Sequence, residues 1–132
     1  MEKRRDPVRR IAGAIIALFP TMAAACELPS GVRLDSDHIS LSYWTIPARI
    51  NVGQPFVLEV AACPKTGVPV SERVKLDAHM PEHRHGMNYR IEVIPMSTGR
   101  FHSEGWLFHM PGRWEFRFDI GGEHLSHSVR IE

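Results

Sequence analysis

From residue 38 to the C-terminus, apolar side chains recur at every second position, in short runs cut by turn residues. Such alternation admits little other than β-sheet with one buried face. Between His38 and Ile46 the residues Ile39, Leu41, Tyr43 and Thr45 share one side. Asn51-Val52-Gly53-Gln54-Pro55 predicts a turn, and Phe56 to Ala61 a mostly buried strand. Val74, Leu76, Ala78 and Met80 face one way, with Lys75, Asp77 and His79 opposite. Tyr89 to Ile94 reads as a strand that ends at Pro95. Ser97-Thr98-Gly99 reads as a hairpin turn into a strand from Arg100 to Phe108. Trp114, Phe116 and Phe118 alternate with Glu115, Arg117 and Asp119; Gly121-Gly122 is a second hairpin turn, and Leu125, His127, Val129 and Ile131 line the last strand. No helical periodicity runs longer than about two turns. The expected fold is therefore all-β, an immunoglobulin-like antiparallel β-sandwich of about seven strands. Leu58, Val60, Leu76, Ile91, Trp114 and Phe116 are the expected core, and His83 and His85 are expected to be exposed on a connecting loop.

Residues 1–25 follow a different rule. Lys3, Arg4, Arg5, Arg9 and Arg10 make a basic start, Ile11 to Phe19 is an apolar run broken by Pro20, and Ala23-Ala24-Ala25 supplies small residues for cleavage. That is the order of a secretory signal peptide. The apolar run is about half the ~20 residues that span a bilayer, so the mature chain, residues 26–132, is expected to carry no transmembrane segment and to work in the periplasm as one domain. The full chain has 16 Lys and Arg against 15 Asp and Glu; the leader holds five and two of these, leaving 11 against 13 and a mature net charge near −2. Such a balance offers no electrostatic footprint for nucleic acid.

Cys26 and Cys63 both fall in the exported part, where an even count makes a disulfide the default. A bridge would pin the start of the mature chain to a core strand. A competing reading takes Ala23-Ala24-Ala25-Cys26 as a partial lipobox and Cys26 as the site of a lipid anchor.

One segment departs from the sandwich pattern: Asp77-Ala78-His79-Met80-Pro81-Glu82-His83-Arg84-His85-Gly86-Met87 gathers three histidines, two methionines and two carboxylates at a strand end. Pro81 stops the strand and Gly86 lets the chain return. His83 and His85, two apart, point the same way in an extended loop. The tripeptide His-Met-Pro recurs at His109-Met110-Pro111, again at a strand end. Imidazole with thioether is a ligand set that favours copper, whereas zinc would recruit cysteine or a further histidine. The candidate ligands are His79, Met80, His83, His85, Met87 and Met110. Against this stands the plainer reading that Met80 and Met110 fill the core, that His79 and His109 lie on solvated faces, and that the loop is a polar cap. No nucleophile elbow, phosphate-cradling loop or blue-copper loop is present, and no enzyme activity is expected.

The His-Met-Pro-Glu-His-Arg-His-Gly-Met stretch (79–87), the Gly99-Arg100-Phe101 hairpin and Phe108-His109-Met110-Pro111-Gly112-Arg113-Trp114-Glu115-Phe116 resemble the YtkA-like domain family and the related FixH-like proteins, over about residues 50–132. The resemblance implies an exported β-sandwich module associated with metal handling or respiratory-oxidase assembly. This chain departs from it in lacking the FixH-like transmembrane helix and in a loop richer in histidine than in methionine. Two functions follow as expectations. One is a periplasmic metal-binding protein, a copper carrier or buffer. The other is a metal-free structural or assembly module that docks a membrane-protein partner such as a respiratory oxidase.

Overall fold

The computed structural model describes Leu18, Pro20 and residues 24–132. The leader expected over 1–25 thus lies, but for four residues, outside the described residues. Nine strands form among the described residues: β1 (Val32–Asp35), β2 (Ile39–Ile46), β3 (Pro55–Pro64), β4 (Val74–Met80), β5 (His85–Gly86), β6 (Glu92–Ser97), β7 (Arg100–Leu107), β8 (Gly112–Ile120) and β9 (Glu123–Ile131). They make two antiparallel sheets, ordered β1-β2-β3-β7-β6 and β5-β4-β8-β9, packed as a sandwich. The two strands beyond the expected seven are short ones: β1, mostly exposed, and β5, two residues long.

The inner faces are the ones the alternation picks out. Ile39, Leu41 and Tyr43 from β2, Phe56, Leu58 and Val60 from β3, and Leu76, Ala78 and Met80 from β4 are buried. Those of β2 and β3 meet, across the layer, the β4 residues and Trp114, Phe116 and Phe118 of β8, the strand beside β4 in the other sheet. Gly121 and Gly122, at φ 59° and 93°, make the two-residue turn that joins β8 to β9, and positive φ at both positions is what such a hairpin needs.

Three details differ from the expectation. The strand expected over 89–94 runs from Glu92 to Ser97, straight through Pro95. This is tolerable because β6 is the edge of its sheet, where no neighbour requires the missing N–H. Ile91, just before that strand, is only partly buried. The inward set on β7 changes parity, from Phe101 and Ser103 to Trp106, with Phe108 just past the strand's end continuing the new parity. The pairing with β3 slips there, between Phe56–Trp106 and Leu58–Ser103. Gly105 sits in this bulge at φ 89°, and a Cβ on it would lie 2.2 Å from the Arg90 carbonyl oxygen.

Cys26 and Cys63 are bridged, with Cα atoms 5.7 Å apart. The segment that follows Cys26 is strapped across β2 and β7: the Ser42 hydroxyl donates to the Pro29 carbonyl at 2.8 Å, and the Arg100 guanidinium to the Glu27 carbonyl at 2.5 Å. The bridge closes a loop of 37 residues, which in the chain-entropy picture contributes about 3–4 kcal/mol. With its sulfur in the bridge, Cys26 has no thiol left for a lipid. No helix among the described residues is long and apolar enough to cross a membrane.

Candidate functional site

Both His-Met-Pro tripeptides arrive at one pole of the sandwich. There Pro55, at the start of β3, lies opposite Leu107, and Gly112, at the start of β8, lies opposite Ile131. β4 delivers Met80 inward, Pro81 stops the strand, and the His83 N–H donates to the Met80 carbonyl at 3.2 Å to close a turn. Arg84 takes the left-handed conformation at φ 53°, and the chain returns as β5 with His85 opposite Met80. Residues paired across antiparallel strands share a face. His85 therefore points to the side of Met80, at the rim where the core gives out. From the other direction, Phe108 is buried beyond the end of β7 and its carbonyl accepts from the Gly53 N–H at 2.8 Å. The next turn is held by the Trp114 indole N–H, which donates to the Met110 carbonyl at 3.0 Å.

These two arms bring His85 and His109 together. Their Nε2 atoms lie 3.3 Å apart and their ring centres 5.3 Å apart. Both rings lie over Trp114, at 6.2 Å and 5.5 Å between centres, and Trp114 is fully buried and stacked on Phe108 at 4.3 Å. Two chemical arrangements suit facing Nε2 atoms. One neutral ring can donate to the other, or both can turn lone pairs to a shared cation. Two nitrogens about 2.0–2.1 Å from one tetrahedral ion stand about 3.3–3.4 Å from each other, the separation seen. His109 Nδ1 is buried and makes no hydrogen bond.

The other candidate ligands are placed differently. Met80 is 1% exposed, inside the core. Met87 and Met110 are partly buried and pack against that core. His79 is turned to the outer face of its sheet, where Nε2 accepts from the Arg117 guanidinium at 2.7 Å with Glu115 at 4.0 Å. His83 is exposed on the turn, its ring centre 5.8 Å from that of His85. His85 itself, expected to be exposed, is half-buried because β5 lays it against the rim. Of the six candidates, then, His83 and His85 are neighbours. The residue facing His85 is His109, which alternation had assigned to a solvated face; the signal for it was the repeated tripeptide. Among the described residues no three His, Cys, Asp or Glu side chains are gathered to hold a metal ion as they stand.

Four other histidines are held by protein partners: His38 by Glu123 and His124 by Asp119 at the surface, and two more within or on the sheets. His127 Nδ1 lies 2.6 Å from the Tyr43 hydroxyl between the sheets, and burial pushes that hydroxyl far above its usual range. On the outer face of the larger sheet His102 lies between Glu104 at 2.9 Å and Glu59 at 2.5 Å. Hydrogen bonds to these carboxylates, Glu104 foremost, raise its pKa above the ordinary imidazole value. Each carboxylate takes a different ring nitrogen, so the trio cannot converge on one ion. Comparison of the chain with protein-family models, curated proteins and solved structures found no match.

Proposed function

We propose that the domain is a periplasmic metal-binding protein, a copper carrier or buffer, that holds its ion between His85 and His109. The observation that carries this is the facing pair of Nε2 atoms at 3.3 Å. The pair lies where two repeats of His-Met-Pro end. Imidazole donors suit copper and zinc alike, and copper is favoured by the Irving–Williams order, which puts Cu(II) above the other common divalent ions. The thioethers contribute less than the sequence suggests, because Met80 is shut in the core and Met87 and Met110 pack against it. That shifts the reading from Cu(I) towards Cu(II), whose tetragonal preference would draw two neighbouring nitrogens to about 2.8–3.0 Å, a few tenths closer than they stand.

A carrier or buffer fits better than a permanent cofactor site. When Nε2 of a neutral imidazole binds a metal, the ring proton sits on Nδ1, which in metal sites is normally received by a carboxylate or carbonyl. His109 Nδ1 is buried without such an acceptor. Occupancy strands a donor there, which lowers affinity and eases release. The Cys26–Cys63 disulfide is compatible with an oxidising, exported environment.

The test is titration of the purified, oxidised protein with Cu(II), following tryptophan emission and bound metal after dialysis. One copper per chain is expected, with quenching through Trp114, and none stoichiometrically bound in His85→Ala/His109→Ala. Absence of stoichiometric copper in the parent, or undiminished binding in the double variant, would overturn the reading. The assembly module docking a membrane-protein partner would then stand, with the exposed Ile46, Ile94 and Met96 as its apolar contacts.

A further inference from the structure

The facing pair accounts for only two coordination positions. We infer that His83 supplies a third, so that the pole holds a three-imidazole site with two seated ligands and one movable one. This rests on the metal-binding reading above and goes beyond it in assigning the exchangeable ligand.

The geometry comes from the rings. Imidazoles that share a tetrahedral ion at about 2.0–2.1 Å have ring centres about 5–5.5 Å apart. His85 and His109 stand at 5.3 Å, already within that range, and His83 and His85 at 5.8 Å, a few tenths outside it. The missing movement falls on the ring best able to make it. His83 is exposed, on a turn between Pro81 and the left-handed Arg84, whereas His85 and His109 are half-buried over the fully buried Trp114. A rotation of the His83 side chain in solvent disturbs no packing.

The competing donors are committed elsewhere. His79 lies on the opposite face of its sheet against Arg117 and Glu115. Glu82, on the same turn, is paired with Arg113 at 3.2 Å. Met80 cannot leave the core without opening a cavity, and a Cβ on Gly112 would already come within 2.8 Å of its terminal methyl.

A site built this way has a direction. The two seated imidazoles lie inward and the third outward, so the ion is released or received by exchange of His83 for a donor on the partner. Ligand-by-ligand exchange of this kind never requires the bare ion in solution.

Electron paramagnetic resonance of the Cu(II)-loaded protein, with stopped-flow removal of copper by a chelator, tests this. The parent should show three imidazole nitrogens bound to copper. His83→Ala should still bind one copper but show two such nitrogens. Its copper should leave faster, by at least the roughly tenfold that losing even a supporting outer partner costs a metal site. An unchanged spectrum and release rate in His83→Ala would overturn the assignment and leave the two-imidazole reading intact. No copper in the parent would overturn both. A merely structural role for His83 would move the melting temperature without changing the nitrogen count.

Discussion

Met80 and Met110 hold the same position in two copies of one tripeptide, and their surroundings separate them. Met80 is 1% exposed between the sheets, while Met110 is partly buried and uses its carbonyl to anchor the Trp114 indole. Truncating a buried methionine costs its transfer free energy and leaves a cavity. Met80→Ala should therefore lose about 2–5 kcal/mol in denaturant unfolding, while copper still binds one to one at a temperature where the variant stays folded. Loss of copper from a folded Met80→Ala would make Met80 a ligand and displace the core reading. The placement of Met80 was legible in the sequence, because period-two alternation puts it with Val74, Leu76 and Ala78. That of His109 was not. Beyond Leu107 the chain leaves the sheet and folds over Trp114. Alternation no longer says which side a residue takes once its strand has ended.

Among the strands, β8 and β9 were the plainest to read, each with a clean inner set and glycines at the turn between them. β5 was invisible, since two residues carry no periodicity, yet it is what turns His85 towards His109. β3 and β7, joined through Glu59 and His102, offer a further test. The folded-state pKa of His102 is raised by Glu104 and Glu59. Its contribution to stability is thus complete below the unfolded value near ~6.5 and is lost as pH climbs through the raised folded value. Denaturant midpoints measured from acid to alkaline pH should show the parent ahead of His102→Gln on the acid side, with the gap closing as pH rises through that window. A gap that is constant, or that widens with pH, would contradict the assignment. His102 lies partly in solvent, so added salt should shrink the effect.

For the whole molecule, sequence periodicity was sufficient for the two layers and for most of their inner faces, because burial of one face is what alternation records. It was silent on the pairings β3–β7 and β4–β8, which join strands distant in the chain. Those pairings are what bring the end of β4 and the end of β7 to one pole, so the meeting of the two tripeptides is a property of topology. The disulfide lay between these cases: cysteine count made it the default, and the path of residues 26–31 across β2 and β7 places it.

The most direct measurement is long-range nitrogen-15 NMR of the imidazole rings of all eight histidines during addition of Cu(II) below one equivalent, whose paramagnetism erases the signals of its ligands. His85 and His109 should vanish first, with His83 beside them, while His38 and His124 near the opposite pole persist. Uniform broadening of all the rings, or a loss centred on His38, His102 or His124, would contradict a copper site between His85 and His109.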